Sequence, residues 1–420
     1  MLRLRRTARI LRAYGDSLAA FQANARLYLV AQVLSGAATG VYRLLFNFYV
    51  LSLGYDETLL GILVTTNSLT ALLVALPMGY LADIIGRKAS LILGSVIHSL
   101  ALLSVVLFPQ AWVLVAANVL SGAAQGLMGA TGGPFLMENS SEKERTYLFS
   151  FAQGIQMLSV FVGNWLGGYL PTWMGDWRGI LPTSAEAYRL ALGAVVAVIG
   201  LAAAPYLMLR APKANSQRSS FASMDFFVQE RGLLTRLIAP LLATSLGAGM
   251  IMPFLNVFYR QVHHLPDATI GTLFAWGSLA MGIGLMIAPP LAERYGKIQL
   301  VVVSQALSIP FLVVMGYAAY APSAGAYLIR LALMNMSGPV YQTFVMEKVA
   351  PERRATVASL SSMAFNFGWA FTPSVSGWLQ TNYGFGPTFA WTIALYILST
   401  YLYWVFFWRK RRVTGSEPGM

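Results

Sequence analysis

Twelve apolar runs dominate the chain, each close to or above the ~20 residues a helix needs to cross the hydrocarbon of a bilayer. They lie near 27–53, 58–82, 89–109, 111–137, 146–171, 187–209, 233–260, 268–292, 298–320, 324–346, 356–380 and 386–408. Of the 420 residues 57% are hydrophobic and only 11% charged, whereas about a quarter of a soluble domain is charged. A soluble multidomain enzyme is excluded. Strands of a membrane barrel would read as alternating segments of about 10 residues. These runs are continuous and rich in Leu, Ala, Val, Gly and Met, so the expected fold is all-α with twelve transmembrane helices. Cysteine is absent, which removes disulfides, thiolate metal sites and cysteine nucleophiles.

Net charge is +13, with 29 basic and 16 acidic residues. In a soluble protein that balance would suggest nucleic acid. Here most of it falls in alternate loops: Arg3, Arg5, Arg6, Arg9 and Arg12 before the first run, then Arg87 and Lys88, Lys143 and Arg145, the segment from Arg210 to Arg236, Arg294 and Lys297, Lys348, Arg353 and Arg354, and Arg409 to Arg412. Basic loops stay on the cytoplasmic side, so both termini are expected there and the charge is an orientation device, not a nucleic-acid surface. The N-terminal segment lacks the apolar core and small-residue cleavage site of a signal peptide. It either lies on anionic lipid or forms a frayed basic tail.

One polar stretch, 210–232, with Pro212, Ser216, Ser219, Ser220 and Ser223, divides the runs six and six. The expected organisation is a cytoplasmic segment 1–26, a six-helix bundle 27–209, a cytoplasmic linker 210–232, a second bundle 233–408 and a tail 409–420. The halves repeat. At an offset of 209, Phe46-Asn47-Phe48-Tyr49 meets Leu255-Asn256-Val257-Phe258, Met137-Glu138 meets Met346-Glu347, and Arg145 meets Arg354. At an offset of 210 the stretch from Leu81 to Arg87 meets that from Leu291 to Lys297. The common order of these pairs argues for duplication.

The stretch Gly79-Tyr80-Leu81-Ala82-Asp83-Ile84-Ile85-Gly86-Arg87-Lys88, between spans two and three, resembles the loop motif of the major facilitator superfamily at Gly79, Asp83, Gly86, Arg87 and Lys88. With the duplication, this makes the whole chain similar to transporters of that superfamily, in particular to exporters of drugs and other amphipaths. The resemblance implies two pseudo-symmetric six-helix bundles working by alternating access. It also implies that Asp83 faces the start of span eleven and that Arg87 pairs with Glu138. The three would form a cytoplasmic latch worth about 1–3 kcal/mol. The other reading of Arg87 and Lys88 is that they only fix orientation.

Arg43 lies about 24 Å along span one at 1.5 Å per residue, where a charge costs about 2.5–3.5 kcal/mol. Arg330 is similarly placed in span ten. Neither has an acid in its vicinity within its own span, so each either receives an electron-rich group or bonds neighbouring helix carbonyls. Tyr42, Phe46 and Asn47 surround Arg43 at helical spacing, and Asn256, Phe258 and Tyr259 answer from the second half. These residues and Arg330 are the expected lining of a substrate cavity. Asn47 and Asn256 could instead join helices to each other. Gly36-x-x-x-Gly40 and Gly163-x-x-x-Gly167 are expected to allow close helix packing. Span five resembles the superfamily's antiporter motif, but Asn164 stands where proline is expected, and Asn118 stands where span four of that family carries arginine.

No carboxylate sits mid-span. Asp83 or Glu138 is therefore the expected proton carrier, and His98 in span three a packed, hydrogen-bonded residue. His263 and His264 lack the further ligands a metal needs. No cofactor is expected, and no P-loop or convergent catalytic group is present, which argues against an ATPase or enzyme. The leading expectation is a monomeric, multi-pass inner-membrane transporter that exports amphipathic compounds by alternating access, coupled to protons. Its partners would be the lipid bilayer, a small-molecule substrate and protons. Uptake or exchange of a small organic anion or sugar is the alternative, and a non-transporting receptor or scaffold a remote one.

Overall fold

The structure, a computed structural model, describes residues 21–210, 230–350 and 353–409. The basic N-terminal segment before Phe21, nearly all of the 210–232 linker and the tail beyond Arg409 lie outside them. Among the described residues twelve helices follow one another: α1 (Ala23–Ser52), α2 (Glu57–Ile85), α3 (Arg87–Leu107), α4 (Ala111–Glu138), α5 (Glu142–Arg178), α6 (Ala185–Leu207), α7 (Arg231–Gln261), α8 (Asp267–Tyr295), α9 (Lys297–Tyr317), α10 (Tyr320–Lys348), α11 (Arg354–Tyr383) and α12 (Phe385–Trp408). Each expected span is a helix. Among the described residues, nine of these helices are long and apolar enough by themselves to cross a membrane; the exceptions are α5, α10 and α11. These three carry much of the mid-span polarity, including Gln153, Gln156, Asn164, Asn335, Gln342 and Asn366. Helices also run past the apolar stretches. The longest, α5, has 37 residues, because the backbone bonding of a helix continues where its side chains become polar.

Two compact units form. Of the described residues, the first comprises 21–46 with 73–210, the second 47–72 with 230–350 and 353–409. Thus the end of α1 and the first part of α2 pack with the second half of the sequence. In the first unit α3 packs on α4 and α6; in the second α9 packs on α10 and α12, and α7 on α11 and α12. The pairs α3–α4 and α9–α10 correspond in the repeat, as do α3–α6 and α9–α12. Each unit has its own apolar core: Tyr28, Leu91, Phe135, Leu148 and Tyr206 belong to one, and Leu237, Val301, Phe344, Val357 and Tyr403 to the other.

Small residues set the closest approaches. On α1 and α5 the two glycine motifs meet: a Cβ added at Gly40 would stand 2.8 Å from the Asn164 backbone N, and one at Gly36 would stand 2.8 Å from Ser159 Cβ. On α7 and α11 a Cβ at Gly249 would stand 2.7 Å from the Gly368 carbonyl oxygen, and one at Gly368 would collide with Ser245. Gly36 and Ser159 correspond in the repeat to Ser245 and Gly368. The contact is kept while glycine and serine exchange helices.

Candidate functional site

The α2–α3 connection is a single residue, Gly86, with φ 85° and ψ 158°. Gly296 joins α8 to α9 in the same way, with φ 94° and ψ 146°. This region of backbone space is essentially reserved for glycine, which is why both copies of the loop carry one. The sharp turn puts Arg87 in the first turn of α3, where the helix dipole disfavours a cation. Two carboxylates compensate. Arg87 Nη1 lies 2.8 Å from Asp83 Oδ1, and Nε donates to Glu138 Oε1 at 3.2 Å. Asp83 is about half exposed, whereas Arg87 and Glu138 are partly buried. In the second unit Lys297 pairs with Glu347 at the corresponding positions. Lys88 is half-buried, and Gly79 lies on α2 one turn before Asp83.

The remaining expected site residues separate into two groups. Arg43 is exposed, although Leu44, Leu45 and Phe46 after it are buried. Among the described residues it has no hydrogen bond or ion pair. Beside it, Tyr42 stacks on Phe46 with ring centroids 4.9 Å apart. Arg43, Tyr42 and Phe46 all belong to the first unit. Asn47 begins the portion of α1 that packs with the second unit, and both of its amide hydrogens are occupied. Nδ2 donates to Asn256 Oδ1 at 2.9 Å and to the Pro253 carbonyl at 2.7 Å. That carbonyl is free to accept because a 3-10 turn, Met252–Phe254, interrupts α7. Asn256 Oδ1 also accepts from the Val257 backbone N–H at 3.0 Å. The two amides hold α1 to α7, the helix-joining role of the two that the sequence allows.

Phe258 and Tyr259 do not line an open cavity: both are 1% or less exposed. The Phe258 ring is 4.8 Å from Phe389 and 5.3 Å from Phe385. The Tyr259 hydroxyl meets Ser323 at 3.3 Å. Arg330 is buried as well, its guanidinium 5.0 Å from the Tyr396 ring centroid. The physical reason is aromatic packing: Phe258 is enclosed by Phe385 and Phe389 of α12 and Tyr259 by Tyr327 of α10, and their repeat counterparts Tyr49 and Val50 are buried as well. His98 Nδ1 is hydrogen-bonded to Ser121 Oγ at 3.0 Å, as expected for a packed imidazole. His263 packs against Phe258, Tyr259 and Tyr320; burial, and after it His264, hold its imidazole below the usual range.

One feature has no counterpart among the expected residues. Along α2 and α11, Ser374 Oγ donates to Thr65 Oγ1 at 2.8 Å, and Thr58 Oγ1 donates to Thr381 Oγ1 at 3.0 Å. Glu57 accepts from Gln261 and from Thr381. Gly61 and Gly377 let the two backbones touch. This seam lies at the opposite end of α2 from Asp83. Isolated hydroxyls in apolar runs carry no periodic signal, so only the glycines could have pointed to it.

A duplicated six-helix plan, apolar throughout and bearing paired charges at its sharp interhelical turns, defines a polytopic membrane protein of the transporter class. Residues 28–338 and 237–419 match the Major Facilitator Superfamily, and the chain belongs to that family. It is a transporter rather than an enzyme. Among relatives, it is similar to the multidrug resistance protein MdtG of Proteus mirabilis, with 21% identity over 90% of this chain and 94% of that protein. It is also similar to the inner membrane metabolite transport protein YhjE of Escherichia coli, with 24% identity over 73% and 74% of the two chains. Among solved structures, a variant of the nucleoside transporter NupG shares the fold with a TM-score of 0.75 at 13% identity, covering 91% of this chain and all of that one.

Proposed function

We propose that this chain exports amphipathic compounds across a bacterial inner membrane by alternating access, coupled to protons, with both termini in the cytoplasm. The observation that carries the reading is the Arg43 face. An exposed guanidinium at depth, without a protein partner among the described residues and next to the Tyr42–Phe46 stack, suits a molecule with an aromatic or acyl body and an electron-rich end. The similarity to a multidrug resistance protein supports the same cargo class. The six-and-six halves, 27–209 and 233–408, are the moving bodies. Asp83, Arg87 and Glu138 form the cytoplasmic latch, and protonating either carboxylate removes charge that holds Arg87. Asn47 and Asn256 fasten α1 to α7 instead of binding cargo.

Arg43 also favours a second reading, the transport of a small organic anion. Proteoliposomes with an imposed pH gradient, loaded in parallel with amphipathic dyes, lipids, sugars and organic anions, separate the two. Dye flux that follows the gradient and falls at least tenfold in Arg43→Ala is the expected result. Flux confined to hydrophilic anions establishes the second reading, and unchanged dye flux in the variant removes Arg43 from the site.

A further inference from the structure

Arg330 has an environment unlike that of any other charged group described. It is 1% exposed, and its Nε, Nη1 and Nη2 atoms are all buried with no hydrogen-bond partner among the described residues. Among the described residues no carboxylate forms an ion pair with it. α7, α9 and α12 contain no acidic residue, and the acid of α10, Glu347, is 17 residues away, about 25 Å along the helix. Asp267, at the start of α8, is held by Arg260 at 3.5 Å. Stacking on Tyr396 at 5.0 Å offsets part of the charge but engages only the face of the guanidinium. Its five N–H groups point outward in the plane of the ion, where they require acceptors. Removing an ion from water costs several kcal/mol unless those acceptors exist.

The surroundings show what kind of acceptor fits. Tyr259 from α7 and Tyr327 from α10 lie within electrostatic range of Arg330. The Tyr259 hydroxyl reaches Ser323, and the Tyr259 ring stacks on His263 at 5.5 Å. His263 Nε2 is itself buried without a hydrogen-bond partner. A trail of polar groups therefore runs from the α7–α8 loop inward to a cation that lacks a counter-charge. Water would satisfy the N–H groups but not the charge, and an amphipathic cargo is too large for so enclosed a place.

We infer that the second unit binds a small monovalent inorganic anion, of chloride size, in the plane of the Arg330 guanidinium, reached past His263, Tyr259 and Tyr327. The anion completes the bundle and is not cargo, so the site is independent of the Arg43 face and of what the protein transports.

The test uses the purified full-length chain in detergent, with no cargo present. Thermal unfolding is followed in sodium chloride, bromide or gluconate at one ionic strength. The midpoint is expected to rise saturably with chloride and bromide but not with gluconate. The rise should persist in Arg43→Ala and be lost in Arg330→Met. A midpoint indifferent to the anion, or a rise retained in Arg330→Met, overturns the inference and leaves Arg330 held by Tyr396 alone. Should Arg330→Met fail to fold, wild-type crystals grown in bromide decide the matter. Anomalous scattering at Arg330 supports the site, and its absence there refutes it.

Discussion

At Gly86 the backbone adopts φ 85°, which a side chain tolerates only with strain of order 1–3 kcal/mol. Gly86→Ala should lower the unfolding midpoint by a corresponding amount even though nothing lies within 4 Å of the added methyl, because the penalty is conformational and not steric. An equal midpoint would mean that the turn relaxes. The amide pair makes a different prediction. Interhelical hydrogen bonds in membranes average about 0.6 kcal/mol and reach about 1.7. A double-mutant cycle with Asn47→Ala and Asn256→Ala should give a coupling energy in that range and leave cargo affinity unchanged; a lost affinity with no coupling would return the pair to cargo binding. The pairing was half legible from the sequence: equal repeat positions placed the two amides, but only the break at Met252–Phe254 shows that Pro253 takes the second donor.

The helices themselves were legible because lipid leaves the backbone two solutions, helices and closed barrels, and continuous apolar runs of about 20 residues fit only the first. Their ends were less so, since α2 continues through Asp83 and α5 begins before the apolar run does. Cavity lining was the hardest to read. Spacing identifies a helix face but not which neighbour covers it, and Phe258, Tyr259 and Arg330 prove to be covered. The exchange of glycine and serine between the α1–α5 and α7–α11 contacts makes a sharp prediction at this scale. Gly36→Ser alone overpacks the α1–α5 contact and should cost about 1–3 kcal/mol. Adding Ser159→Gly copies the arrangement of the second half and should restore most of the loss in thermal unfolding. A double variant no better than the single one would show that the halves do not share this packing rule.

For the whole molecule, the proposed latch acts on a balance between states rather than on cargo. Asp83→Asn keeps the shape of the side chain but leaves Arg87 with Glu138 alone. The expected outcome is a shift of about five- to 150-fold in the ratio of inward to outward accessibility, the range that corresponds to 1–3 kcal/mol. Single cysteines introduced at each end, in a chain that has none of its own, report it through their labelling rates. Identical rates in both proteins would reduce Asp83 and Arg87 to topological markers. The 37 residues of α5 bear on the membrane as much as on the protein. At 1.5 Å each they form a rod of about 55 Å, against hydrocarbon of about 30 Å. No ordinary tilt absorbs that surplus. One end must therefore stand in the headgroups or beyond, and acyl-chain length becomes a mechanical variable to which this one helix is more exposed than its neighbours.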